Sequence, residues 1–258
     1  MSLSSPLRSF ELDETNPQNS LIWNTIYKEG EDFSFGDPTE VKKGRWVYST
    51  VAFRKKALED MNKGIMPDAW DFNGAAVKEY GKQFFDKSTW YAHVYSYAAR
   101  LMEYEITNPD YPTKVWQLFL YLLKHWKIPP LTVKINQLEY MREQLREAFD
   151  NDIQTTRIIA ITFRPGEDYY RPDIPCFQIA QVFPLGGRKV SIRYFFRSHD
   201  YAHGINANGY YLNNGFLKEV INPVGGKLVE TIFTSAVAHL YNNDFSLIEK
   251  GIENTEGY

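Results

Sequence analysis

The chain has 258 residues, 43% of them hydrophobic, enough for a sizeable core in one large domain or two small ones. Its 29 basic and 32 acidic residues leave a net charge of −3, a poor footprint for a nucleic-acid binder, which is usually strongly basic. No stretch approaches the ~18 apolar residues of a membrane helix, and one cysteine allows no internal disulfide, so a cytoplasmic, reducing compartment is the expectation.

The opening MSLSSPLRSFELDE has no apolar run, which argues against a signal peptide. Residues 1–20 are polar and are expected to be poorly ordered, with residues 21–258 forming a single domain. A short helix is expected over Ser20–Tyr27, and Arg45–Phe53, rich in β-branched and aromatic residues, reads as a strand. Lys42, Lys43 and Arg45 read as a solvated surface. Ala75–Phe85 and Trp90–Tyr104 read as helices, with Asp86 and Ser88 as caps between them. Val115–Trp126 is a further helix, stopped by Pro129 and Pro130. In Gln137–Asp150, Leu138, Met141, Leu145 and Phe149 recur at spacings of three and four, which places them on one helical face.

After Asn151 the period becomes that of strands: Arg157–Phe163, Phe177–Phe183 and Lys189–Phe196, the last two joined across Gly186-Gly187, a hairpin signal. Asn206–Val220 returns to helix despite Gly209 and Gly215, and Lys227–Thr234 is the last strand. A helix-rich first half and a strand-rich second half predict an α+β fold, a mostly antiparallel or mixed sheet covered by helices on one side.

Cys176 is the only cysteine. A lone cysteine is most often a small buried hydrophobe, but this one follows Pro175 at a turn between two predicted strands. Arg197 ends the strand that would pair with the one Cys176 begins, so a hairpin would bring a cation to the thiol, as a reactive thiolate requires. His199 and His203 are four apart and could share a metal on a helix, yet Asp200 stands where the zinc motif has glutamate and Gly204 argues for a loop; no metal is expected. Gly186-Gly187 and Gly225-Gly226 do not precede helices with phosphate-loop spacing. A bound phosphate would need arginines, and Arg157, Arg193 and Arg197 lie on or at the ends of predicted strands. These residues suit a cysteine hydrolase, a transferase or a protein without catalysis.

Their order resembles that of a known family. Pro175-Cys176 with Gln181 resembles the P-C-x4-Q segment of thymidylate synthases. Arg197-Ser198-His199-Asp200 with Gly204 and Asn208 resembles the R-S-x-D-x3-G-x3-N segment, Ala238-His239-Leu240-Tyr241 the A-H-x-Y segment, and Thr155-Thr156-Arg157 the S-R-R segment. The match runs from about Gln137 to Asp244. Val77–Phe85 and Tyr97–Leu101 both look like the tyrosine-glycine-x-arginine region, the second with an arginine at the family's spacing. The short stretch after Tyr241 looks like the compact branch of this thymidylate synthase and pyrimidine hydroxymethylase family known from methanogenic archaea. The chain departs from the pattern at Thr156 (arginine), Phe177 (histidine), Phe196 (glutamine) and Ala98 (glycine).

The resemblance implies a thymidylate-synthase-like fold and the transfer of a one-carbon unit from 5,10-methylenetetrahydrofolate to carbon 5 of dUMP through a covalent Cys176 adduct. It implies that Arg197 stabilises the thiolate and grips the phosphate, Ser198 bonds the phosphate, Asp200 anchors the pterin or its waters, and His239 and Tyr241 hold the ribose hydroxyl. Gln181 and Asn208 would complete the nucleotide site, Asn208 facing the base. Arg157 would reach the partner's active site in a homodimer. Two alternatives stand beside this: a hydroxymethylase of dUMP, dCMP or CMP on the same fold, and an inactive nucleotide-binding homologue.

Overall fold

The structure is a computed structural model that describes residues 8–12, 17–37, 40–64, 82, 96–107, 114–125, 131–170, 174–246 and 248–249. Its centre is a mixed sheet. The first half supplies β1 (Arg8–Leu12), α1 (Pro17–Glu29), β2 (Glu31–Asp37), β3 (Glu40–Arg54), α2 (Lys55–Lys63), α3 (Tyr97–Met102), β4 (Tyr104–Thr107), α4 (Val115–His125) and β5 (Thr132–Ile135). The second half supplies α5 (Gln137–Asp150), β6 (Ile159–Ile161), α6 (Pro165–Asp168), β7 (Phe177–Pro184), β8 (Lys189–Phe196), β9 (His199–Asp200), α7 (Gly204–Phe216) and β10 (Lys227–Tyr241).

The strand order is β1-β3-β10-β8-β7-β6, with β2 on β3 and β9 on β10, while β4 and β5 form a separate ladder. β10 runs parallel to β8 and β9 and antiparallel to β3. Period-two alternation sets the faces. Val190, Ile192, Tyr194 and Phe196 of β8 point into the core with Val47, Val51 and Phe53 of β3. Onto this face α1 lays Ile22, Trp23 and Ile26, α2 lays Leu58 and Met61, α5 lays Leu138, Met141 and Leu145, and α7 lays Ile205, Leu212 and Phe216. The other face carries Ile159 at 42%, Ile161 at 38% and Phe195 at 36% exposure, an apolar row across β6 and β8 that no described element covers.

Several expectations are met closely. α5 occupies the expected Gln137–Asp150, capped by the Asn136 side chain, which accepts from Glu139 N. The hairpin turn holds Gly186, Gly187 and Arg188 at positive φ, a conformation that glycine adopts without a Cβ penalty. Gly209, which weakened the expectation of helix, lies against the Met61 side chain, which a Cβ there would displace, so α7 packs on α2 with Met61 in place.

Others are corrected. Residues 8–12, expected to be poorly ordered, form β1 in parallel register with Ser49–Phe53, and helix already begins at Pro17. The strand expected over Arg157–Phe163 shortens to Ile159–Ile161, and Gln137 covers its free edge, accepting from Ile161 N and donating to Ile161 O. α7 begins at Gly204 and passes after Phe216 into a π-helical turn, Leu217–Ile221. β10 runs on to Tyr241. The helix expected over Ala75–Phe85 lies outside the described residues except Lys82; of Trp90–Tyr104, Tyr97–Met102 is helical.

Candidate active site

The β7–β8 hairpin brings Cys176 and Arg197 together. Phe177 pairs with Phe196, and one step beyond, Arg197 N donates to Cys176 O at 2.9 Å. The Arg197 guanidinium turns back over the same turn, Nε donating to Pro175 O at 3.2 Å and Nη2 to Ile174 O at 2.5 Å. Cys176 is half-buried against the core. A charge-assisted pair of bonds to one turn fixes its backbone more firmly than neutral bonds would.

A break in β10 opens the next stretch. Its register with β8 ends at Ser235 opposite Phe196 and resumes with Ala238 opposite His199 and His239 opposite Asp200. Arg197 and Ser198 therefore stand between the two ladders, where a bulge re-aims side chains. Ser198 Oγ lies 3.4 Å from His239 Nδ1, and His239 sits edge-on to Tyr241 with ring centroids 4.8 Å apart. Lys42, from the cluster read as surface, lies over the Tyr241 ring at 5.7 Å.

Asp200 caps the turn into α7: its Oδ1 accepts from Ala202 N at 2.8 Å and His203 N at 3.2 Å. Burial pushes its carboxyl above the ordinary range, opposed by the nearby His203 and His239 rings. His203 Nε2 bonds Asp244 Oδ1 at 3.1 Å, which raises the His203 pKa. The start of α7 gathers the rest, since a Cβ on Gly204 would stand 3.5 Å from both Asn208 Nδ2 and His199 Cδ2 and 3.6 Å from Asp200 Cβ. Asn208 Nδ2 is 3.1 Å from His199 Nε2. Burial lowers the His199 pKa to about 3, helped by His239 and opposed in part by the Gly204 main chain. That ring is neutral at any ordinary pH.

An aromatic file supports this cluster from below. Tyr97 of α3 meets Phe177 edge-on at 5.2 Å, Phe177 meets Phe196 at 5.3 Å, and Phe196 stacks on His199 at 4.0 Å and 6°. Phe177 and Phe196, two departures from the family pattern, are thus packing partners on either side of the hairpin. Each such contact contributes about 0.5–1.5 kcal/mol beyond area burial. Arg100, the arginine of the Tyr97–Leu101 segment, is buried in a bidentate pair with Asp168 at 2.8 and 2.9 Å and also donates to Thr162 O. This ties α3 to the chain just after β6.

Of the residues singled out in the sequence, Cys176, Arg197, Ser198, Asp200, Asn208, His239 and Tyr241 fall along this one contiguous path. Gln181 and Arg157 do not. Gln181 lies on the open sheet face opposite Ile159 and donates to Thr156 O at 2.8 Å, and Arg157 is exposed beside it. Arg193 is also on that face, over the Phe183 ring at 5.2 Å. His199 and His203 are not on a shared helical face: they diverge, one to Asn208 and the other to Asp244. Among the described residues no group of three or more His, Cys, Asp or Glu is placed to hold a metal. Sequence reasoning weighed His199 only as a metal ligand and missed Ser235 and Asp244; the place of His199 inside R-S-x-D was the signal available.

The mixed sheet with helices on one face defines an α+β fold of the thymidylate synthase type. The structure aligns with thermostable thymidylate synthase A from Bacillus subtilis at a TM-score of 0.57 and 16% identity, covering 94% of this chain and 84% of that one. In sequence the chain is 28% identical over 200 residues to a protein of Methanococcoides burtonii named "Putative thymidylate synthase", covering 77% of this chain and 76% of that protein. A protein of the same name from Methanosarcina barkeri is 25% identical over 192 residues, covering 74% and 73%. No family model matches the chain. The likeness to the thymidylate synthase family read from the segments around Cys176 and Arg197 is borne out by these relatives and by the fold.

Proposed function

We propose that the chain is a thymidylate-synthase-type transferase that moves a one-carbon unit from 5,10-methylenetetrahydrofolate to carbon 5 of dUMP, giving dTMP. The observation that carries the reading is the Cys176–Arg197 rung, which holds a thiol and a guanidinium on adjacent strands beside the Asp200–Asn208 turn. The Cys176 thiolate adds to carbon 6 of the base, which makes carbon 5 nucleophilic; a covalent step of this kind divides a hard substitution into easier ones. Arg197 favours the thiolate and pairs with the phosphate, to which Ser198 adds a hydrogen bond. His239 and Tyr241 meet the ribose hydroxyl, and Asn208 meets the base.

The folate supplies the one-carbon unit and the reducing hydride when bound. Asp200 fits a role in holding its pterin, because two main-chain N–H groups orient the carboxylate before any ligand arrives. Arg157 and Gln181 enter the reading through a homodimer: the apolar row Ile161, Ile179 and Phe195 pairs in register across the open face and would be covered by a second copy, bringing Arg157 to the partner's phosphate. Isologous two-fold pairing is the commonest way to cover such a face.

Incubation with 5-fluoro-dUMP and the folate is the direct test. Intact mass should rise by nucleotide plus folate, and Cys176→Ala should show no adduct. An unchanged wild-type mass, with nucleotide binding established separately, would sink the assignment. Release of dihydrofolate, followed by its ultraviolet absorbance, separates methyl transfer from hydroxymethylation, which leaves the folate at the tetrahydro level.

A further inference from the structure

We infer that His199 is a positioning residue for base selection: it sets the direction of the Asn208 amide, so that the carbonyl end is offered to the base and uracil is favoured over cytosine. This rests on the reading that Asn208 faces the base. Asn208 is buried, with Nδ2 against His199 Nε2 at 3.1 Å, and its Oδ1 is buried with no hydrogen-bond partner among the described residues. A buried carbonyl left in that state calls for a donor, and native structures almost always provide one.

The direction of the amide follows from a relay of four groups behind it. His199 Nδ1 lies 3.2 Å from Ser235 Oγ, Ser235 Oγ lies 3.2 Å from the Tyr201 hydroxyl, and Tyr201 donates to Ser49 Oγ at 3.3 Å. A phenol has one proton, and Tyr201 spends it on Ser49. Tyr201 therefore accepts from Ser235, Ser235 accepts from His199, and the imidazole proton sits on Nδ1. Nε2 is left with a lone pair that takes the amino end of Asn208, against the Gly204 main chain, which favours a proton on the ring. Burial supports the relay by keeping His199 uncharged, with a pKa of about 3, and Tyr201 protonated, with a pKa pushed up to about 12. The ring cannot turn to swap its nitrogens, because Phe196 stacks on it at 4.0 Å and Tyr201 stands against its edge at 5.1 Å.

Asn208 Oδ1 then accepts from the ring N–H of uracil, and the second amino hydrogen remains for the adjacent carbonyl. Cytosine presents a lone pair to Oδ1 and an amino group to Nδ2, wrong at both atoms. Accommodating it requires the amide to flip and every proton in the relay to reverse. The cluster thus places this discrimination in residues drawn from β3, β9, β10, α7 and the turn at Tyr201.

Two measurements on the intact chain test this. Nitrogen-15 histidine spectra should show His199 as the neutral tautomer protonated at Nδ1; a ring protonated at Nε2 overturns the inference. Equilibrium binding of dUMP and dCMP should favour dUMP by roughly tenfold to a hundredfold, the equivalent of about 1.4–2.8 kcal/mol. His199→Leu should reduce that ratio to within about threefold, Ser235→Ala should lower it in the same direction, and His199→Gln, which keeps an acceptor at similar reach, should retain most of it. An unchanged ratio in both His199→Leu and Ser235→Ala, or a wild-type preference for dCMP, overturns the inference while leaving a pyrimidine nucleotide site intact. Binding of neither nucleotide by wild type overturns this inference and the proposed function together.

Discussion

The main-chain N–H of Arg197 donates to the carbonyl of Cys176 at 2.9 Å, the rung of the β7–β8 ladder beyond the Phe177–Phe196 pair. The rung is main-chain and survives side-chain substitution, while Arg197→Ala also removes the guanidinium bonds to Pro175 O and Ile174 O that brace the turn. Arg197→Ala should keep the fold and slow alkylation of Cys176 by iodoacetamide at neutral pH by about tenfold. Equal alkylation rates in the two proteins would remove Arg197 from thiolate stabilisation.

Asn208→Asp replaces an amide by a group that accepts at both oxygens. A mismatched buried polar pair costs on the order of 1–3 kcal/mol. The dUMP preference should shrink or invert, read as the ratio of kcat/KM for dUMP and dCMP. A ratio the same as wild type would place base selection elsewhere.

Two histidines give opposite pH signatures. His203 gains Asp244 as a partner and its pKa is raised, so its contribution is complete below the unfolded value near ~6.5 and fades as pH climbs through the higher folded value. Asp244→Asn should remove that fading. His199 is buried neutral, with a folded pKa of about 3, so the unfolded chain binds the proton first and stability falls as pH drops below ~6.5. By pH ~3 the loss is on the order of 4 kcal/mol. Urea midpoints from pH ~4 to ~9, with His203 and His199 followed by NMR, check both; a His199 that titrates near its ordinary value would contradict its burial.

The Arg100–Asp168 pair is 3% and 0% exposed, and Asp168 also accepts from Arg164 N. Asp168→Ala leaves a buried guanidinium uncompensated and should destabilise by roughly 3–5 kcal/mol, lowering Tm by about 10 °C. The exposed Arg54–Glu11 pair offers a contrast: Glu11→Ala should cost under about 1 kcal/mol. Similar losses in the two variants, by calorimetry, would show that burial does not decide the difference.

The apolar row on the open face predicts a dimer at micromolar concentration by light scattering, and Phe195→Asp should shift it to monomer. Mixing Cys176→Ala with Arg157→Ala chains should restore part of the activity, because one hybrid site keeps both residues. Two inactive parents that stay inactive when mixed would argue that Arg157 serves its own subunit or none.

Local signals carried far in this chain. The three- and four-residue spacing from Leu138 to Leu145 located α5, and the alternation from Val190 to Phe196 with Gly186-Gly187 before it located the hairpin that joins Cys176 to Arg197. Both are short-range: a helix face and a two-strand turn are specified within some twenty residues of each other. The motif segments from Thr155 to Tyr241 were legible for the same reason, since each is a few residues of fixed spacing. What only the tertiary structure decided are the long-range pairings. Arg8–Leu12 looks like a polar terminus until Ser49–Phe53 offers it a parallel ladder, and the chain between the two carries no mark of that pairing. The reach of β10 through His239 depends on β3 and β9 flanking it at once. The tautomer of His199 depends on Ser235, Tyr201 and Ser49, which meet only when β3, β9 and β10 are side by side. A proton's position is set by its neighbours in space, and sequence order does not record who those neighbours are.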